Sequence, residues 1–205
     1  MTEQNWADLA RTELADEHVV LRPIAETDRE PLRTHALDPA IWRYFVQLIE
    51  TDEQFDAFFD AAVADQAAGD RVVYVITDLS SGLIAGSMSF CSINQAAGRL
   101  EIGWSWLGTK FHGKGVNHWA KYLMLREAFE HLGAERVEFK TDALNKQARQ
   151  GLRNIGAAEE GILRSFNPMP GNRRRDAVFY SVLRAEWPEV AATLLAGRKG
   201  KERGS

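Results

Sequence analysis

RLEIGWSWLGTKFHGKGVNHWAKYLMLREAFEHLG, residues Arg99 to Gly133, is the stretch that decides the fold. Its first nine residues alternate with period two, as a half-buried strand does. The alternation assigns Leu100, Ile102, Trp104 and Trp106 to one face and Glu101, Gly103 and Ser105 to the other. A glycine-bearing loop follows, Phe111-His112-Gly113-Lys114-Gly115-Val116-Asn117. The period then changes: Ala120, Leu123, Met124, Ala128, Phe129 and Leu132 form a broad helical face that Gly133 stops. Arg136 to Thr141 reads as the next strand. A helix N-terminus exposes about four unpaired N–H groups and the positive end of its dipole. Glycines just before it let a bulky anion approach the backbone, so the loop suits a pyrophosphate. It is no P-loop, because no Gly-Lys-Ser/Thr follows, and no full GxGxxG, because position 118 is His.

Outward from this unit the chain keeps one domain's texture. Strands are expected at 18–22, 72–77, 83–90, 159–165 and 177–184. Thr27 to Glu30 and Thr51 to Gln54 have capping-box spacing; the second opens a helix with Phe55, Phe58, Phe59, Ala62 and Val63 on one face. Trp42, Tyr44 and Phe45 fall in the connection between these helices. Asn145 caps a helix carrying Ala148, Leu152 and Ile155, and Pro188 starts the last one. Residues 1–17 read as a loosely held N-terminal arm, 18–196 as one domain, and the basic, glycine-rich 197–205 as a disordered tail.

Composition agrees with a folded α/β domain of 205 residues: 45% hydrophobic, 26% charged, formal charge −4. The acidic balance argues against a nucleic-acid partner held by bulk charge. One cysteine, Cys91, excludes an intrachain disulfide and a multi-thiolate metal site, and it reads as a buried small hydrophobe. No unbroken apolar run approaches the ~18 residues of a membrane span. The N-terminus has no signal-peptide pattern, so a cytoplasmic location is expected.

Three stretches together resemble the GNAT superfamily of N-acetyltransferases, in the branch that includes the ribosomal-protein N-terminal acetyltransferases. They are Glu101 to Trp104, Phe111 to Asn117, and Thr141 to Ala148, and the resemblance spans most of 18–187. It implies a three-layer α/β fold with a central, mostly antiparallel sheet. That sheet is splayed between the strands at 100–107 and 136–141, with helices on both faces. It implies acetyl-CoA as co-substrate and no metal. The backbone of Trp106 and Leu107 would pair with the pantetheine arm. His112, Gly113, Lys114, Gly115, Val116 and Asn117 would hold the pyrophosphate, Asn145 the pantetheine, and Arg149 a flanking phosphate. Two departures stand out: the positions where relatives carry a serine and a tyrosine near the sulfur are Ala148 and Leu152.

The chemistry of the reaction picks out one more residue. An amine near pKa 10 is mostly ammonium at neutral pH and must lose a proton before it attacks a thioester. Glu101, opposite the apolar face of its strand, is the candidate base. Trp42, Tyr44 and Arg175 are candidate contacts for the acceptor, which the branch implies is a protein N-terminus or else a small amine. A non-catalytic acyl-CoA-binding module is the alternative, since loop and Asn145 would serve it equally. An exposed sheet edge leaves a homodimer open.

Overall fold

The computed structural model of the protein describes residues 5–199. Among these residues eight strands form one sheet: β1 (Leu14–Ala15), β2 (Val19–Pro23), β3 (Val72–Asp78), β4 (Leu83–Asn94), β5 (Arg99–Leu107), β6 (Arg136–Asp142), β7 (Ala158–Pro168) and β8 (Arg174–Leu183). Their order is β1-β2-β3-β4-β5-β6-β8-β7. Neighbours run antiparallel except β5 and β6. The parallel pair is short: Arg99, Leu100 and Glu101 face Arg136, Val137 and Glu138, and there the pairing stops. Beyond Glu101 both strands continue unpaired with each other, so the sheet opens into the expected fork.

Helices cover both faces: α1 (Trp6–Leu9), α2 (Arg29–Ala36), α3 (Pro39–Trp42), α4 (Asp52–Ala68), α5 (Val116–Arg126), α6 (Lys146–Asn154) and α7 (Trp187–Lys199). The alternation of β3 sorts the two cores. Val72, Tyr74 and Ile76 join the core beneath α1, α5, α6 and α7, while Val73 and Val75 join the core beneath α2, α3 and α4. A π-helical turn, Glu127–His131, extends α5 and keeps Ala128 and Phe129 buried.

Several local expectations are corrected. The stretch read as a loose arm is ordered from Asn5, whose side chain accepts the Ala7 N–H and starts α1. Trp6, Ala7, Ala10 and Leu14 are buried in the first core, and β1 pairs with β2. Few apolar residues suffice there because each lands on the core. Thr27 does not cap α2: the box closes on the 3-10 turn Glu26–Asp28 before it, where Asp28 accepts the Ala25 N–H and pairs with Arg22. The second box is present, with Gln54 N–H donating to Thr51 Oγ1 at 3.3 Å and Gln54 Oε1 accepting from Thr51 N–H at 3.2 Å. The segment read as a disordered tail is helical through Lys199, and 200–205 lie outside the described residues.

The unbroken alternation of β5 is also corrected. Trp104 has φ +51°, and opposite β4 the register jumps from Ser89–Gly103 to Ser87–Trp106. One residue of β4 thus faces two of β5, a β-bulge. Leu100 and Ile102 point into the first core, whereas Trp104 and Trp106 point to the second. The bulge turns the strand over just past the fork.

Candidate active site

A cavity of about 550 Å³ occupies the fork. Its walls come from β5, β6, the glycine loop, the first turns of α6, the 40–46 segment after α2, and β7 with β8. Of the residues singled out from sequence, Glu101, Trp106, Leu107, His112, Gly113, Gly115, Asn117, Asn145, Tyr44 and Arg175 line it.

At one end stands the glycine loop. Gly115, at φ +85°, is the N-cap of α5 and supplies no side-chain cap. Gly113 is also left-handed, at φ +75°, and no atom lies within 4 Å of where its Cβ would be. The first amides of α5 are therefore bare toward the cavity, the arrangement that accepts an anion. His112 Nε2 lies 3.1 Å from the Leu107 carbonyl and ties the loop to the end of β5. Val116 is buried in the core below the loop, and Lys114 lines a smaller cavity with Asp78 and Ser80 rather than this one. Arg149 is likewise turned away from the cavity, onto Glu159, Tyr180 and the Ala143 carbonyl. Asn145 Oδ1 accepts the Ala148 N–H at 3.0 Å and places α6 against the fork.

At the other end is Glu101, the last residue of β5 paired with β6 and only 7% exposed. Its Oε2 accepts from Lys140 Nζ at 2.9 Å and from Ser92 Oγ at 3.4 Å. Its Oε1 lies beside Gly103, where an added Cβ would come within 3.0 Å of it and 2.9 Å of Cys91 Sγ. The glycine thus leaves space for the carboxylate. A hydrogen-bonded carboxylate on a rigid strand, facing a cavity, is equipped to accept a proton from a bound donor.

The Arg173-Arg174-Arg175 run divides three ways along β8 and the turn before it. Arg173 pairs with the fully buried Asp142, Arg174 bonds Ser165, and Arg175 turns inward to Asn167 Oδ1 at 2.9 Å. Arg175 is 8% exposed, and burial pushes its guanidinium below the usual range. Its Nε is buried without a partner, as is the Trp106 Nε1. Trp42 does not line the cavity. It is buried behind the wall, donating Nε1–H to the Ala36 carbonyl and packing on Trp106 and Phe45.

Cys91 is only half-buried and lines the same cavity, against the expectation of a fully buried hydrophobe. Burial, reinforced by the charge of Glu101, pushes its thiol up to about 12. The thiolate is the reactive form. Cys91 in the folded protein at pH 8 is therefore expected to react with iodoacetamide at least ~10-fold more slowly than in denaturant; equal rates would contradict the placement.

Sequence reasoning missed Lys121. It lies one turn after Asn117 on α5, lines the cavity, is 8% exposed, and donates to Asn117 Oδ1 at 2.5 Å. The available signal was its place on the i, i+4 row from Asn117, within an otherwise apolar stripe.

Comparison with known proteins agrees with this arrangement. The model of the acetyltransferase (GNAT) domain matches residues 18–158. A curated relative from Bacillus subtilis (strain 168), named "Putative ribosomal N-acetyltransferase YdaF", is 27% identical over 181 residues, 84% of this chain and 94% of its own. A crystal structure of a "putative acetyltransferase" from T. thermophilus is 34% identical, with a TM-score of 0.82 over 91% of this chain and 96% of that one. Mycobacterium smegmatis RimJ, in complex with CoA-disulfide, shares the fold at 21% identity and a TM-score of 0.75, over 87% of this chain and 88% of its own. Forked sheet, glycine loop and family match converge on one assignment: the chain belongs to the GNAT acetyltransferases.

Proposed function

We propose that the protein transfers an acetyl group from acetyl-CoA to a primary amine by direct attack in a ternary complex. The carrying observation is that the bare amides of α5 and the buried carboxylate of Glu101 share one cavity at the fork of the sheet. The uncapped N-terminus of α5 fits the diphosphate of a long anion, as coenzyme A is. Bound coenzyme supplies the thioester that makes the acetyl group transferable. The loop amides of Gly113, Gly115 and Asn117 hold its diphosphate, the β5 edge at Trp106 and Leu107 aligns its arm, and Asn145 fixes it from α6. Glu101 takes the proton that the bound ammonium must lose before the free amine attacks the thioester carbon. Holding both partners in one cavity supplies much of the remaining rate. Neither Ala148 nor Leu152 has a proton to give, so the leaving thiolate takes its proton from water or another residue, or leaves unassisted.

The acceptor is a protein N-terminus. The name of the Bacillus subtilis relative, a ribosomal N-acetyltransferase, supports a protein acceptor, and Tyr44, Phe45, Asn167 and Arg175 in the cavity wall offer a peptide both apolar and hydrogen-bonding contacts. Single-turnover transfer from acetyl-CoA to a pool of peptides, polyamines and aminoglycosides, beside calorimetry of CoA binding, tests the reading. Transfer confined to peptide α-amines is the expected result. Transfer to polyamines or aminoglycosides alone would overturn the acceptor, and CoA binding without transfer would leave a binding module.

A further inference from the structure

We propose that Lys121 is an anion-binding residue of the groove, its buried ammonium contributing to the grip on the coenzyme diphosphate beside the α5 amides. The proposal rests on the reading that this groove takes coenzyme A. It is carried by the position of the lysine itself. Lysines usually extend their heads into water along an apolar stem. Lys121 does the opposite: it is 8% exposed, and its ammonium turns back along the helix to Asn117 Oδ1.

Among the described residues no carboxylate pairs with it, and desolvation pushes the ammonium down to about 8. An ammonium carries three donors, and the bond to Asn117 uses one. A buried charge without a counterion costs folding free energy, and a fold keeps one where function requires it. Asn117 and Lys121 occupy the same i, i+4 row and face the same cavity as Gly113 and Gly115. The amide oxygen of Asn117 therefore aims the ammonium toward the N-terminus of α5, where the bare amides and the helix dipole already favour an anion. The lysine of the loop itself, Lys114, lines the other cavity, so the cation lining this groove at the α5 end is Lys121.

Calorimetry of the full chain with CoA and with 3′-dephospho-CoA, for wild type and Lys121→Met, tests the assignment. Methionine keeps the unbranched chain, one heavy atom shorter, and removes the charge. The variant is expected to bind both ligands roughly 10- to 150-fold more weakly, the range of one charge-assisted hydrogen bond. The unliganded variant is expected to melt higher than wild type, by about 3 °C, because an unpaired buried charge has gone. Unchanged affinity for CoA would overturn the proposal. A loss confined to CoA would move the contact to the 3′-phosphate and overturn it as stated. A variant that melts well below wild type would make Lys121 a structural residue and overturn it too. Failure of wild type to bind CoA is a separate result and would sink the proposed function first.

Discussion

Glu101→Gln is expected to lower kcat/KM for the peptide acceptor by roughly 10²- to 10³-fold while leaving the CoA dissociation constant within about threefold of wild type. The two effects separate because the residue sits at the acceptor end of the cavity, not beside the loop amides. Glutamine is isosteric and can still accept from Lys140 and Ser92 through its carbonyl oxygen. Lys140 remains partly exposed and can be hydrated, so the fold should not suffer. What glutamine cannot do is take a proton. The residual rate of the variant is then expected to climb as pH rises toward ~8, the range in which an α-amine becomes free without help. Acetylation timed by mass spectrometry across pH 6.5–9, with calorimetry of CoA, checks both limbs. Retention of more than a tenth of wild-type activity at pH 7 would remove Glu101 from the chemistry.

The parts legible in the sequence are those with a strong local cause. The strand from Arg99 to Leu107 appears with the predicted bounds because its period is pure, and α5 follows because two glycines and an apolar stripe dictate it. Asn145 caps α6 because a short side chain with an acceptor at that spacing has one obvious partner. The bulge at Trp104 was not legible. A period of two looks the same whether or not one residue is inserted, and only pairing with β4 reveals that Trp104 and Trp106 have changed face. The arm failed for the converse reason: Trp6 and Leu14 find their partners in distant strands, and no local pattern announces it. In sequence, Lys114 and Arg149 flank the expected phosphate site as candidate cations. The loop turns one toward Asp78, and Glu159 claims the other. The arginine run 173–175 reads in sequence as a charged hairpin tip, and strand alternation is what turns Arg175 inward.

The fork itself depends on how closely β4 and β5 approach above it, and Gly86→Ala is expected to show this. A Cβ on Gly86 would lie 2.2 Å from the Trp106 carbonyl oxygen and 2.8 Å from the Leu107 Cα. Both are backbone atoms of a strand paired to Gly86 itself, so no side-chain rotation relieves the clash. Gly108 N–H donates to the Ala85 carbonyl at 2.8 Å, and the Leu107 carbonyl holds His112, so pushing β5 away disturbs strand and loop together. Overpacking of this kind costs about 3 kcal/mol, which for a domain of this size lowers the melting temperature by roughly 6–12 °C. Gly113→Ala is the comparison. Nothing crowds that position, and only its left-handed backbone opposes the methyl group, at about 1–2 kcal/mol. Calorimetric melting of the two variants should therefore rank Gly86→Ala as clearly the less stable. It should also lose CoA affinity, because Trp106, Leu107 and the loop tied to them all move. A Gly86→Ala protein that melts and binds like wild type would mean that β4 and β5 tolerate separation at this point. The close approach of the strands would then not be what holds the loop in register with the fork.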